Sequence, residues 1–404
     1  MNARPATRGH WMVLALLVVS VAINYVDRGN LSVAGRDISA ELHVPPERLG
    51  LLFSAFFWTY ALFQIAAGWL IDRYDVVRVY GVCYLVWSVA TCCTGIVSTL
   101  GALFVLRLVL GMSEAVAYPS YSRIIAANFR EERRGMANAL IDAGSRSGPA
   151  LGVLIGGLIL ERYGWRVMFI AIGGASLLWL LPWMMVAPRV ATESATEGES
   201  IGFGSILRRR ESWGSFLALF AGNYAWYFLL TWMPPYLLME RHYSRHAMAL
   251  YGWLPFAALA TSSLAGGWLS DRLIVGGARA IGVRRMFVSL GLAFATILVP
   301  SSAIRDERAA MALMIVACVS LGFYSSNIWA ATQTLAGPEA AAKWTGLQNA
   351  FGNLAGVTVP WITGMVVQQT GSFHLAFVSV GGVLLLGALA FFLLIGREGR
   401  IQWT

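Results

Sequence analysis

The chain has 404 residues, of which 57% are hydrophobic and 13% charged, and its formal net charge is +9. Soluble domains carry about 25% charged residues, so this composition excludes an ordinary soluble domain and is typical of a membrane protein. The positive charge could suggest nucleic-acid binding, but the enrichment of Lys and Arg in cytoplasmic loops of membrane proteins explains it better. We therefore expect a lipid bilayer around the protein and no nucleic-acid partner.

Long uncharged runs recur along the sequence, and the longest, residues 344–396, has room for two spans. A helix needs about 20 apolar residues to cross a bilayer, and lipid tolerates only structures whose backbone groups are satisfied internally. The runs lack the alternation of barrel strands, so we predict an all-α membrane protein with twelve transmembrane helices. The expected spans are residues 11–33, 49–71, 79–98, 101–127, 136–160, 167–187, 213–238, 247–269, 286–304, 309–335, 345–368 and 375–395.

The loops between these spans indicate the orientation of the chain. With the N-terminus inside, most Lys and Arg residues fall in cytoplasmic segments, so both termini are predicted to be cytoplasmic. The first span contains Asp27 and Arg28 and lacks a small-residue cleavage site, unlike a signal peptide. No metal-ligand spacing of cysteines, phosphate loop or nucleophile motif occurs, so we expect neither an enzyme nor a cofactor.

A short sequence is repeated about half a chain apart. Gly-Trp-Leu-Ile-Asp-Arg at 68–73 matches Gly-Trp-Leu-Ser-Asp-Arg at 267–272, and each copy closes an even-numbered span. A polar stretch lies between the two halves. We therefore predict a six-helix bundle over residues 1–187, a cytoplasmic linker over 188–212 and a second six-helix bundle over 213–404. The repeated loops are interpreted as a gating latch formed by Gly68, Asp72, Arg73, Asp271 and Arg272.

Two six-helix halves with this duplicated loop resemble the major facilitator superfamily, although Asp75 stands where a Gly is usual. Residues 24–33, 53–61, 107–115 and 230–237 are similar to its anion:cation symporter family, which includes bacterial sugar-acid and organic-anion:proton symporters. The resemblance implies alternating access in a bacterial inner membrane and a latch role for the loops. It also implies import of a small organic anion, such as a sugar acid, a dicarboxylate or an aromatic carboxylate, with protons.

Charged residues within the predicted spans are confined to the N-terminal half. A charge at bilayer depth is costly unless it is paired or faces a cavity, so each is a functional hypothesis. The candidates are Asp27, Arg28, Arg107, Glu114, Asp142 and Arg146. Arg keeps its proton, and the His residues lie outside the spans or at a helix end, so the carboxyls are the candidate proton carriers. Glu114 is the first choice because it is deepest, and Asp27 is the second.

Competition for a guanidinium would couple the proton to the anion. Ionised Glu114 can neutralise Arg107 or another Arg, and a proton on Glu114 would release that Arg to the incoming carboxylate. Arg28 is the best candidate for the substrate clamp, with Arg107 sharing the role. Neutral polar groups would hold the hydroxyls or the second polar end of the substrate. These are Tyr60 in the first half and Asn223, Tyr227, Asn327 and Asn349 in the second.

Several alternatives remain open from the sequence. Arg146 either faces the cavity, where it favours a second carboxylate or a sulfonate, or only pairs with Asp142 one turn away. Sodium could replace the proton, using oxygens of Asp27 and Asn24. An exporter of drugs or metabolites by proton antiport would share the fold, and a transport-like sensor without solute movement is a third class. We expect a monomer.

Overall fold

The computed structural model describes residues 8–128, 131–187, 202–396 and 401–402, and within these ranges it contains helices and no strands. The first half comprises α1 (Arg8–Val33), α2 (Gly35–Glu41), α3 (Pro46–Arg73), α4 (Val76–Thr94), α5 (Leu100–Glu114), α6 (Ala117–Asn128), α7 (Glu131–Leu151), a π-helical turn (Gly152–Gly156), α8 (Gly157–Leu177) and α9 (Leu180–Val186). The remainder comprises α10 (Phe203–Leu207), α11 (Arg210–Met239), α12 (Arg245–Tyr251), α13 (Leu254–Val275), α14 (Ala280–Ala295), α15 (Leu298–Ala303), α16 (Glu307–Thr370) and α17 (His374–Leu394).

The helices are long and apolar enough to account for the predicted spans. In the part of the chain that the structure describes, ten segments meet the length and hydropathy expected of a membrane span, and one of them, Leu140–Val186, has 47 residues. Gly164 divides that segment because its φ of 82° leaves the helical region. Counting its two parts separately and adding the 28-residue α3 gives twelve. The predicted all-α membrane fold is confirmed.

A second glycine divides another long helix, and a polar cap marks the start of α4. Gly337 has a φ of 63° and divides the 64-residue α16 into two spans. Asp75 accepts a hydrogen bond from the backbone N–H of Arg78 at 3.0 Å, so it caps the start of α4. This cap gives a local role to the Asp that departs from the usual loop pattern.

The chain forms two compact units. One contains residues Met1–Ala195 and Met233–Trp253, and the other contains Thr196–Trp232 and Leu254–Thr404. The predicted boundaries of the two bundles stay a prediction, and residues 188–201 of the expected linker lie outside the described residues. Within the rest of that segment, the structure has α10 and the first turn of α11.

Close backbone packing in the first unit holds α1 against α7. A Cβ atom on Gly144 would lie 2.8 Å from the carbonyl oxygen of Val18, and one on Gly148 would lie 2.6 Å from that of Ala22. These glycines therefore allow an approach that larger side chains would prevent. The approach fixes the depth and rotation of α1, whose C-terminal turns carry Asp27 and Arg28.

Candidate functional site

Four charged side chains are buried together in the first unit. Asp27 and Arg28 lie in α1, Arg107 lies in the middle of α5, and Glu114 is the last residue of α5. Their exposed fractions are 1%, 3%, 4% and 0%, respectively. Such residues are rarely buried completely unless they are paired, and at bilayer depth they mark functional sites by default.

An ion pair joins α1 to α5 at the centre of this cluster. The Nε atom of Arg28 donates to Oε2 of Glu114 at 2.9 Å, and the two side chains are 2% and 0% exposed. The helical spacing of Arg107 and Glu114 indicated that these two residues share one face of a helix. The structure instead pairs Glu114 with the arginine 86 residues away, so Arg28 is the "other" arginine that the sequence left open.

Three aromatic rings surround the guanidinium of Arg28. Its central carbon lies 4.7 Å from the ring centroid of Tyr25, 4.8 Å from that of Phe56 and 4.5 Å from that of Tyr60. Rings at this distance attract a cation through their quadrupole, and the attraction grows when water is excluded. We name Tyr25, Phe56 and Tyr60 the aromatic cage.

Sequence reasoning identified only Tyr60 of this cage. Phe56 was missed although it stacks on Tyr60 with 5.3 Å between centroids and also lies 5.3 Å from the guanidinium carbon of Arg107. Tyr25 lies three residues before Arg28, and Phe56 lies four residues before Tyr60. Both spacings bring side chains together on a helix and could have indicated the cage.

Arg107 differs from Arg28 in its pairing. Among the described residues it forms no ion pair, and its buried Nε atom has no hydrogen-bond acceptor. It interacts electrostatically with both Glu114 and Asp27 without direct contact to either. A guanidinium offers five N–H donors in a planar fork that matches a carboxylate or a sulfonate. Arg107 is therefore the described cation of the cluster that is best placed to accept an additional anion.

Asp27 completes the charge balance of the cluster. Its Oδ1 atom accepts a hydrogen bond of 3.5 Å from Nδ2 of Asn30, and its electrostatic neighbours include Glu114 and Arg107. When both carboxyls are ionised, the two arginines and two carboxylates sum to zero formal charge. An entering anion leaves a net negative charge in a region of low dielectric constant unless a proton enters with it.

Asp142 and Arg146 form a separate pair on α7. The Nε atom of Arg146 lies 3.6 Å from Oδ1 of Asp142, and the side chains are 18% and 53% exposed, respectively. The predicted local pairing at this spacing is present. A contact between Arg146 and the substrate stays a prediction.

The neutral polar candidates of the other unit lie on α11 and α16. Tyr227 donates to Oδ1 of Asn353 at 2.9 Å. Asn327 is buried and donates to the carbonyl oxygen of Phe323 at 3.0 Å, so part of its hydrogen-bonding capacity is used within α16. Asn223 and Asn349 are both half-buried. Their assignment to the substrate stays a prediction.

The repeated loops are only partly described. Arg73, Asp271 and Arg272 are exposed, and the guanidinium carbon of Arg272 lies 5.2 Å from the ring centroid of Trp268. Gly68 and Asp72 lie outside the side chains that the structure describes. The latch role of these residues stays a prediction.

Outside the spans, a polar cluster ties α2 to α8. Arg166 donates to Oε1 of Glu41 at 2.7 Å, and the indole of Trp165 donates to Oε2 at 2.7 Å. These two hydrogen bonds hold the pKa of Glu41 below its usual value of 4.5 because they favour the ionised carboxylate. Arg166 also donates to the carbonyl oxygen of Val97 at 2.8 Å.

Known proteins share both the sequence and the fold. A family model described as Major Facilitator Superfamily matches residues 17–360. The D-galactonate transporter of Escherichia coli O6:H1 is 30% identical over 426 residues, with 99% of both chains covered. The probable sulfoacetate transporter of Cupriavidus necator is 30% identical and covers 94% of this chain and 92% of its own. A probable galactarate/D-glucarate transporter of Bacillus subtilis is 28% identical, with 98% of this chain and 94% of its own covered.

A similar fold has been solved by crystallography. The structure of a bacterial homologue of the human lysosomal transporter Spinster superimposes with a TM-score of 0.82 and covers 97% of both chains. Its sequence identity is 18%, so the likeness concerns the fold. The family resemblance found in the sequence motifs is thus confirmed by the family match and by the full-length similarity to anion transporters.

Proposed function

This chain belongs to the major facilitator superfamily, and we propose that it imports a small organic anion by proton symport. It is a membrane transporter and not an enzyme, in line with its family and its full-length relatives. The proposal places it in a bacterial plasma membrane as a monomer with both termini cytoplasmic. Transport would proceed by alternating access, with the duplicated loops as the gating latch.

The observation that carries this proposal is the buried cluster of two arginines and two carboxyls in the first unit. Glu114 forms an ion pair with Arg28, with 2.9 Å between Oε2 and Nε, whereas Arg107 has no ion pair within the described part of the chain. An entering carboxylate can therefore dock on Arg107 first. Its negative charge then favours protonation of Glu114 or Asp27, since three anionic groups would otherwise share two buried cations.

Protonation of Glu114 would change the partner of Arg28. A neutral carboxyl binds a guanidinium more weakly than a carboxylate does, because charge-assisted hydrogen bonds are roughly twice as strong as neutral ones. Arg28 could then turn from Glu114 to the substrate while the aromatic cage retains its guanidinium. Proton and anion thus bind with positive coupling, as symport requires.

The same charge balance relates the charge of the substrate to the number of protons that enter with it. A monoanion needs one proton to restore neutrality, and a dianion needs two, for which Glu114 and Asp27 supply two sites. The relatives transport, by their names, D-galactonate, galactarate or D-glucarate, and sulfoacetate. We propose the same chemical class here, a short carboxylate with either hydroxyls or a second acidic group. Tyr60 and the amides and phenol of Asn223, Tyr227, Asn327 and Asn349 would hold the hydroxyls, and Arg146 a second acidic group.

The test uses the purified chain in liposomes with an inward pH gradient. D-galactonate, galactarate and sulfoacetate are first screened by their stabilisation of the protein, since a ligand of the folded state raises the unfolding temperature. Uptake of the radiolabelled hit is then measured with inward proton and sodium gradients. We expect accumulation with the proton gradient alone. Accumulation driven by sodium alone, or efflux coupled to proton entry, would overturn the proposal.

Two variants assign the roles of the charged residues. Glu114→Gln mimics the protonated acid, so it should retain exchange of internal for external anion and lose accumulation driven by the pH gradient. Arg107→Gln should lose anion binding, whereas Arg162→Gln, which alters an exposed arginine of the same unit, should retain it. Normal accumulation by Glu114→Gln, or equal binding by the two arginine variants, would contradict these assignments.

A further inference from the structure

A cavity of about 350 Å³ lies in the second unit between the start of α14 and the end of α17. Its lining includes Arg279 and Arg285 on one side and Phe392 and Gly396 on the other. Because a water molecule takes about 30 Å³ of liquid, the cavity has room for roughly a dozen water-sized groups. It is therefore too large for a single ion and large enough for a polar head group with its first carbons.

The structure extends α14 beyond the predicted span and brings arginines into it. The span was expected from residue 286, but α14 begins at Ala280, so Arg284 and Arg285 both lie in its first turns. Arg284 donates to the carbonyl oxygen of Ala330 at 2.7 Å and also to the hydroxyl of Thr334. These two hydrogen bonds hold Arg284 against the neighbouring α16.

Arg285 lies about 100° around the helix from Arg284 and faces α17. It forms no ion pair within the described chain. Its guanidinium carbon lies 4.2 Å from the ring centroid of Phe392, and its buried Nε atom lacks an acceptor among the described residues. No carboxylate contributes to the described lining of the cavity. Arg279, which is exposed, adds a second positive charge at the same end. Within the described residues, the cationic end of the cavity therefore has no anionic partner.

The inner wall of the cavity holds a second unsatisfied polar group. Ser289 is 7% exposed, and its hydroxyl has no hydrogen-bond partner within the described chain. Ser289 follows Arg285 by four residues, so it lies on the same face of α14 about 6 Å further along the axis. A buried hydroxyl without a partner is costly, which indicates that a polar ligand reaches this depth.

The outer wall of the cavity is apolar and exposed, as expected of a surface that faces lipid. Met286, Leu290 and Phe392 line the cavity and are 45%, 47% and 51% exposed. The positive loop before α14 is expected on the cytoplasmic side, where the leaflet carries anionic lipids. A ligand that suits both walls has an anionic head and apolar chains, with polar ester groups about one helical turn below the head.

We propose that this cavity binds an anionic phospholipid of the cytoplasmic leaflet. The lipid phosphate pairs with Arg285 and Arg279, and the Ser289 hydroxyl donates a hydrogen bond to an ester oxygen below it. The acyl chains lie along Met286 and Leu290. Basic pockets between transmembrane helices on the cytoplasmic side are suited to such head groups. This site lies in the second unit and does not depend on the proposed transport cycle.

The test measures lipid binding to the full-length purified chain by native mass spectrometry. Phosphatidylglycerol is compared with phosphatidylcholine of identical acyl chains, and glycerol 3-phosphate is added as a soluble competitor. We expect one phosphatidylglycerol to be retained at concentrations where phosphatidylcholine is lost, without displacement by glycerol 3-phosphate. Equal retention of the two lipids, or displacement by the soluble phosphate at equal concentration, would overturn the proposal.

Variants connect the binding to the cavity. Arg285→Gln should weaken retention of phosphatidylglycerol about tenfold, as expected for the loss of one charge-assisted contact. Arg208→Gln, at an exposed arginine of the same unit, should leave it unchanged. Gly282→Trp provides a second probe, because Gly282 lines the cavity and a Cβ atom there would meet only the Cβ atom of Arg279, at 3.9 Å, while both arginines remain. The proposal fails if a folded Gly282→Trp protein, checked by thermal unfolding, retains the lipid as the wild type does.

Discussion

Replacing Glu114 by Ala removes the carboxylate that pairs with Arg28 and leaves a guanidinium in a site where its side chain is 2% exposed. Breaking a buried ion pair by removing one partner costs about 3–5 kcal/mol, because the remaining charge stays desolvated. Gln at the same position retains an oxygen that can accept from Nε of Arg28. Glu114→Gln should therefore cost about 1–2 kcal/mol, the difference between a charged and a neutral hydrogen bond.

The double variant Arg28→Met/Glu114→Leu removes both charges. It therefore distinguishes the net contribution of the ion pair to stability from the cost of leaving one buried charge without its partner. Exchanging a buried ion pair for apolar side chains of similar volume is often neutral or stabilising, so this variant should unfold close to the wild type. The single changes Arg28→Met and Glu114→Leu then form a cycle with the double change. Its coupling free energy should be several kcal/mol, as expected for side chains in direct contact.

The assay is thermal unfolding of each purified variant in one detergent, followed by the fluorescence of the 16 tryptophans. For a unit of about 200 residues, 1 kcal/mol corresponds to about 2 °C, so Glu114→Ala should lower the unfolding temperature by about 6–10 °C and Glu114→Gln by about 2–4 °C. Equal unfolding temperatures for Glu114→Ala and Glu114→Gln would refute the reasoning. That result would mean that water, not Glu114, compensates Arg28, and the charge balance behind proton coupling would fail.

Two further predictions concern packing and pH. Gly111→Ala should destabilise the chain by about 1–3 kcal/mol, because a Cβ atom there would overlap the carbonyl oxygen of Phe56. Gly101→Ala on the same helix meets open space and should be neutral or slightly stabilising in the same thermal assay, so equal effects of the two changes would contradict this. Glu41→Gln should lower stability slightly at pH 7, by about 0.5 kcal/mol, because Arg166 and Glu41 form a partly exposed pair. The folded state lowers the pKa of Glu41, so its stabilisation is present above pH 4.5 and is lost as the pH falls below that value. Unfolding midpoints of the wild type and Glu41→Gln should therefore converge on acidification, and a constant difference down to pH 3 would contradict the assignment.

The helical content and the number of spans could be predicted from the sequence because they depend on local properties. An uncharged run of about 20 residues predicts a membrane helix whatever its neighbours are. The duplicated Gly-Trp-Leu motif and the charges within the predicted spans of the first half were also visible in the sequence, as were the pair Asp142–Arg146 and the candidates Arg28, Arg107 and Glu114. Each of these inferences uses spacing within one helix or a comparison of two segments.

Contacts between different helices required the folded chain. Spacing favoured a relation between Arg107 and Glu114 within one helix, but the side chain that reaches Glu114 belongs to Arg28 on α1. Arg284 and Arg285 are neighbours in sequence, yet one contacts α16 and the other lines a cavity against α17. The rotation and depth of each helix select such partners, and they follow from packing at positions such as Gly144 and Gly148 rather than from the pattern of any single segment.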